Sequence, residues 1–172
     1  MIEVKNLTYS YGKENVLDQI SFDLERGMCI AVLGNNGAGK STMIKCLNRI
    51  FHPKEGSVFI DGKNLMQLDR ITLAKQIAYV AQKNETGRFT VYDAVLLGRK
   101  PYIKWDAAES DHSVVQYCIN CMGLTGFEMR YVDELSGGEL QKWYWQGLWP
   151  SSRKCFCWMN RPAVLILRIN TA

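Results

Sequence analysis

Gly34-Asn35-Asn36-Gly37-Ala38-Gly39-Lys40-Ser41-Thr42 decides how the rest of the chain is read. It fits the pattern G-x-x-x-x-G-K-[ST], a glycine-rich loop that turns backbone N–H groups toward phosphate. The apolar run at residues 28–33 predicts a buried strand before it. Residues 42–47 predict a helix after it. Strand, loop and helix in that order aim N–H groups and a positive helix end at an anion. The glycines let the backbone approach phosphate with no Cβ in the way. Lys40 is placed to reach the β- and γ-phosphates, and the Ser41 hydroxyl to ligate Mg²⁺. A glycine-rich turn can precede a helix for structural reasons alone, but the strand and the Lys-Ser pair make nucleotide binding the expected property.

The bulk composition is that of an ordinary globular domain. Across 172 residues, 47% are hydrophobic and 22% charged, which suffices for one domain with a real core. The net charge of +4 suits an anionic ligand but decides nothing. No apolar run approaches the length of a membrane span, and the N-terminus lacks the pattern of a signal peptide. The chain is therefore expected in the cytoplasm. In that reducing compartment the six cysteines should not form disulfides. Cys118-x-x-Cys121 with Cys155-x-Cys157 could be offered as a zinc site, but the spacing is irregular. Cys118 and Cys121, beside Val114, Val115 and Met122, are better read as small buried hydrophobes on a helix face.

Around the loop, strands are predicted at residues 2–10, 16–24, 57–60 and 77–81, with a hairpin-like turn at Glu25-Arg26-Gly27. Helices are predicted at residues 69–76, 91–97 and about 107–122, the last opened by a capping box at Asp106-x-x-Glu109. Tyr11 is either a surface aromatic or a platform on which an adenine ring stacks. Leu135-Ser136-Gly137-Gly138-Glu139 contains a second capping box, Ser136-x-x-Glu139, and glycines before a helix need no further reason.

Taken together, the loop and Leu135–Glu139, about a hundred residues later, resemble an ATP-binding-cassette (ABC) ATPase and its signature motif. Residues 1–142 resemble the family throughout. The implied fold is α/β: a P-loop NTPase core, an N-terminal antiparallel β subdomain and a helical subdomain at about residues 87–135. The resemblance places Tyr11 as the adenine-stacking aromatic, Val16 as an apolar neighbour of the base, and Gln82 as a residue touching Mg²⁺. It assigns the whole of Gly34–Thr42 to ATP, and Ser136, Gly137 and Gly138 to the γ-phosphate of a second cassette bound head to tail. It also implies an integral-membrane permease, indirect work with a solute-binding protein outside the cell, no nucleic acid, and a peripheral position on the inner membrane face. Leu97-Gly98-Arg99-Lys100-Pro101-Tyr102 resembles importers of iron chelates and vitamin B12 (cobalamin). A non-transport ABC ATPase and a non-enzymatic nucleotide-binding fragment remain alternatives; a P-loop kinase or GTPase would have no reason to carry the signature.

Residues 143–172 depart from the family. It next requires a buried strand ending in Asp, then a catalytic Glu, yet nothing acidic follows Glu139, and Trp143, Trp145, Trp149 and Trp158 crowd the segment. One explanation is a divergent aromatic tail for a membrane surface or partner. The genetic code offers another. Lys154–Pro162 is encoded AAR TGY TTY TGY TGG ATG AAY CGN CCN, with a CGN codon for Arg161. Beginning each codon at its third base gives Val/Met, Leu/Phe, Leu, Leu, Asp, Glu, Pro/Ser and a small residue. Trp and Met have single codons, so the Asp and Glu are forced. The expectation is one base missing, or two extra, near codon 142, with the C-terminal part of the core lost. Residues 143–172 would then be an out-of-frame tail and hydrolysis defective. The tail's apolar run at 163–169 has strand propensity and is expected at most to fill a gap by accident.

Overall fold

The computed structural model describes residues 1–80, 88–136, 139, 155–159 and 163–168. They belong to two compact units, Met1–Gln82 with Arg153–Ala172, and Lys83–Ser152. In chain order the first unit runs β1 (Ile2–Tyr9), β2 (Leu17–Leu24), β3 (Cys29–Leu33), α1 (Lys40–Leu47), β4 (Glu55–Ile60), β5 (Lys63–Asn64), α2 (Arg70–Gln76), β6 (Ile77–Val80), β7 (Cys155–Met159) and β8 (Ala163–Arg168). The predicted elements stand within a residue or two of these bounds.

One sheet, ordered β2-β1-β4-β5, is antiparallel throughout. Leu7, Leu24 and Val58 from this sheet are completely buried in one cluster with Ile44 of α1. Met43, Ile44 and Leu47 sit three and four residues apart and so share a helix face, which buries them in that cluster. β1 is bent near Asn6, where its register against β2 shifts. Asn6 has φ of +51°, and its N–H donates to Ser21 Oγ at 2.8 Å. That local irregularity leaves no room opposite Gly56, whose φ is +93°; a Cβ there would lie 2.5 Å from the carbonyl oxygens of Lys5 and Asn6.

The second sheet is ordered β3-β8-β7-β6. β7 runs parallel to β6, with Val80 opposite Trp158. β8 runs antiparallel to both β7 and β3, with Leu33 opposite Ala163 and Cys29 opposite Leu167. The gap expected beside the loop strand is therefore filled, and by the apolar run at 163–169 whose strand propensity the sequence displays.

Two expectations need correction here. β3 is not a strand buried on both faces. Ile30 and Val32 pack against the core, whereas Cys29 is exposed and Leu33 is 71% exposed. Its sequence is apolar on both faces, but among the described residues only one is covered. The Glu25-Arg26-Gly27 turn, closed by Met28 N–H donating to the Glu25 carbonyl at 3.3 Å, is not a hairpin turn. It carries the chain from one sheet to the other.

The second unit contains α3 (Val91–Leu97) and α4 (Glu109–Cys121), then a short 3₁₀ turn at Val132–Glu134. Val91, Val95, Val115, Ile119 and Leu124 form its core. Thr90 caps α3, accepting from the Asp93 N–H at 3.1 Å. The predicted capping box of α4 does not form. Asp106 accepts instead from the adjacent Ala107 N–H at 2.8 Å, and Asp111 accepts from Ala108 N–H at 3.2 Å. Asp111 wins because Arg99 holds it, with Nε at 3.0 Å and Nη2 at 2.9 Å from Oδ1. Cys118 is buried as expected and its thiol is pushed up to about 12 by that burial, but Cys121 is exposed.

The Arg99 clamp makes a pH prediction. The Arg99 guanidinium holds the Asp111 carboxyl below the usual carboxylate range, helped by the Ala108 N–H. A carboxylate with a lowered folded-state pKa stabilises fully above its unfolded value of about 3.9, and that stabilisation is lost as pH falls through the lowered value. Denaturant midpoints of wild type and Asp111→Asn should differ at pH 7 and converge toward pH 3. Equal midpoints at pH 7 would overturn the clamp.

Candidate nucleotide site

The glycine loop lies between the end of β3 at Leu33 and the start of α1 at Lys40. Ala38 N–H donates to the Asn35 carbonyl at 3.2 Å, and the loop then turns sharply through Gly39 into the helix. Gly39 has φ of +83°, and a Cβ there would lie 2.8 Å from the Val16 carbonyl oxygen and 3.2 Å from Val16 Cγ1. Only glycine fits both the backbone angle and the space. Val16, named from sequence beside the base, thus stands against the loop itself.

The first N–H groups of α1 have no partners within the helix and point out of its end. No acidic residue sits in that first turn. Lys40 Nζ donates to the carbonyls of Gly34 and Asn35, the latter at 2.8 Å, so its ammonium is held over the loop. Ser41 is exposed at the helix start, while Thr42 is only 5% exposed. A cradle with no Cβ at Gly39, a lysine over the loop and an unopposed helix end is a donor set that fits a polyphosphate. Ser41 is the hydroxyl available there for Mg²⁺.

Tyr11 stands at the same place. Its loop is pinched at the base by Val16 N–H donating to the Tyr9 carbonyl at 2.8 Å. The Tyr11 hydroxyl and Thr42 Oγ1 are 3.1 Å apart. The ring is 64% exposed and meets Tyr9 and Phe51 edge to face, with centroids at 5.2 and 5.6 Å. Tyr9 and Phe51 stack on one another at 5.2 Å, and Lys45 Nζ lies 5.0 Å from the Phe51 centroid. The structure therefore gathers Tyr11, Val16, Gly39, Lys40 and Thr42 around one loop. Tyr9 and Phe51 join the site only in the tertiary structure. The pair Tyr9-x-Tyr11 is visible in sequence, but nothing in the sequence ties Phe51 to it. Cys46, on the same helix, is buried and its thiol is pushed up to about 11, which keeps it protonated at neutral pH.

In the second unit, Ser136 and Glu139 form the predicted capping box. Ser136 N–H donates to Glu139 Oε2 at 2.7 Å, and Glu139 N–H donates to Ser136 Oγ at 3.4 Å. Gln82, Gly137 and Gly138 lie outside the described residues. Within the Leu97–Tyr102 stretch, Arg99 clamps Asp111 and stacks over Tyr102 at 4.3 Å, while Leu97 is exposed. No helix among the described residues is long and apolar enough to cross a membrane.

The ABC transporter family profile matches residues 17–145. An uncharacterised ABC transporter ATP-binding protein of Methanocaldococcus jannaschii is 43% identical over 142 residues, covering 83% of this chain and 56% of the relative. The petrobactin import ATP-binding protein YclP of Bacillus subtilis is 34% identical over 143 residues, covering 83% of this chain and 57% of that protein. Among solved structures, an inward-facing transporter described as of metal-chelate type superposes with a TM-score of 0.75 at 28% identity, covering 91% of this chain and 58% of the other. The chain spans about half the length of the curated relatives it matches. With its glycine loop, helix and signature-type capping box in the family's order, this chain belongs to the ABC transporter family of ATP-binding proteins.

Proposed function

We propose that this chain is the ATP-binding subunit of an importer for an iron chelate or cobalamin, working with a membrane permease and a second cassette on the cytoplasmic membrane face. The observation that carries the nucleotide reading is the Gly39–Lys40 cradle with Tyr11 beside it. The glycine loop and the α1 N–H groups bind the phosphates, Lys40 neutralises the outer ones, and Ser41 with Gln82 holds Mg²⁺. Bound MgATP supplies the phosphoanhydride whose cleavage would drive transport. Ser136, Gly137 and Gly138 cap the γ-phosphate of the partner cassette with a helix N-terminus, which favours negative charge. The iron-chelate direction rests on relatives such as the petrobactin importer subunit. Support for cobalamin is limited to the Leu97–Tyr102 stretch.

As it stands, the chain binds nucleotide and does not turn it over. No acidic side chain follows Glu139, so nothing from the tail can polarise the attacking water. Residues 143–172 are the product of a shifted reading frame. A non-enzymatic nucleotide-binding role is the second reading, and the same absence favours it. Equilibrium binding of MgATP, with hydrolysis followed in parallel, tests both parts. Binding is expected, weakened at least about tenfold by Lys40→Ala, because the lysine makes charge-assisted contacts. Hydrolysis should stay at background. A chain that takes up no nucleotide overturns the first part; a steady ATPase rate that Lys40→Ala abolishes overturns the second.

A further inference from the structure

The geometry points to Tyr9, Phe51 and the Thr42 hydroxyl as positioning residues that hold Tyr11 as a base platform, so that adenine affinity is set from behind the ring. This rests on the reading of Tyr11 as the residue that stacks on adenine.

Tyr11 sits in a surface loop and exposes 64% of its area. An exposed aromatic on a loop samples several rotamers, and freezing it on ligand binding costs entropy. Here the ring is held from two sides. Its edge-to-face contacts with Tyr9 and Phe51 fix the plane, at centroid separations of 5.2 and 5.6 Å. Those rings are themselves locked by a stack only 8° from parallel. At the other end, the phenolic hydroxyl meets Thr42 Oγ1 at 3.1 Å, and Thr42 is nearly buried. Thr42 lies two residues after Lys40 on α1, so the hook ties the platform to the helix that carries the phosphate site.

Phe51 is anchored to the same helix. Its N–H donates to the Lys45 carbonyl at 3.1 Å, and Lys45 Nζ lies over its ring. Two of the three supports of Tyr11 are therefore tied to the helix that carries the phosphate site, Thr42 directly and Phe51 through Lys45. A ligand that carries phosphates without a base would not sense this arrangement.

Calorimetric titration with MgATP and with magnesium tripolyphosphate separates the two halves of the site. Phe51→Leu removes the ring behind the platform, and Tyr11→Phe removes only the hook. Each is expected to weaken ATP about threefold to tenfold, as loss of an aromatic contact or hydrogen bond would, while changing tripolyphosphate by less than about twofold. Phe51→Tyr should restore ATP affinity to the wild-type value. If Tyr11→Ala weakens ATP selectively while Phe51→Leu and Tyr11→Phe do not, the platform works without these supports and the inference fails alone. If Tyr11→Ala leaves the ATP-to-tripolyphosphate ratio unchanged, the adenine reading of Tyr11 fails and the inference with it. Equal weakening of both ligands by Phe51→Leu also overturns it, because the ring would then be supporting α1 rather than Tyr11.

Discussion

Restoring one base near codon 142 should raise ATP hydrolysis at least about a hundredfold over the chain as it stands, the smaller end of what a positioned general base contributes. The genetic code and the sheet topology both lead to this expectation. The codons of Lys154–Pro162, begun at their third base, read Val/Met, Leu/Phe, Leu, Leu, Asp, Glu, then Pro or Ser. The Asp and Glu span codons 158–160. In the sheet, β7 runs parallel to β6 and ends at Met159, with Trp158 opposite Val80. A strand of four apolar residues would suit that seat at least as well as Cys155-Phe156-Cys157-Trp158, and its acids would come at the strand's C-terminal end. In open α/β sheets that is where ligands bind. Hydrolysis in the restored protein should disappear with Lys40→Ala and with the new Glu changed to Gln. Source DNA that has no such alternative codons overturns the frame argument, as does a restored protein that binds ATP yet never hydrolyses it.

Gly56→Ala should be the most damaging single methyl addition in the first unit, with a loss of about 3 kcal/mol or more. Part of the cost is conformational. At φ of +93° an L-residue is strained by about 1–2 kcal/mol. The rest is steric, and no rotamer relieves it: the new Cβ would stand 2.5 Å from two backbone oxygens of β1, those of Lys5 and Asn6. β4 would have to separate from β1, and Val58, which is fully buried beside it, would lose its packing. Gly62→Ala is the matched control. Its φ is +74°, but nothing lies within 4 Å of the added Cβ, so only the conformational part applies. Chemical denaturation of the two variants should separate them. Equal midpoints would show that β1 and β4 move apart freely and that the steric part was wrongly assigned.

The sequence by itself determined the family, the phosphate loop and the order of the elements through α4 apart from the short β5. Those rest on short-range signals: glycines at fixed offsets, apolar runs of strand length, and helix caps such as Ser136-x-x-Glu139. Tertiary structure decided what depends on partners distant in the chain. α4 starts from Ala108 rather than Asp106, with the Asp111 carboxylate accepting from the Ala108 N–H while Arg99, twelve residues away, pairs with it. β3 reads as buried on both faces because all five of its residues are apolar, yet only its partners decide which face is covered, and Leu33 is left out. The turn at Glu25-Arg26-Gly27 has hairpin chemistry, but the strands that it joins find hydrogen-bond partners in different sheets. Phe51 joins Tyr11 only because the segment after α1 returns to β1, where Phe51 stacks on Tyr9 and Lys54 N–H donates to the Thr8 carbonyl. The run Ala163–Arg168 shows the same division from the other side. Strand propensity made it a strand, and the unpaired backbone groups along β3 gave it a place.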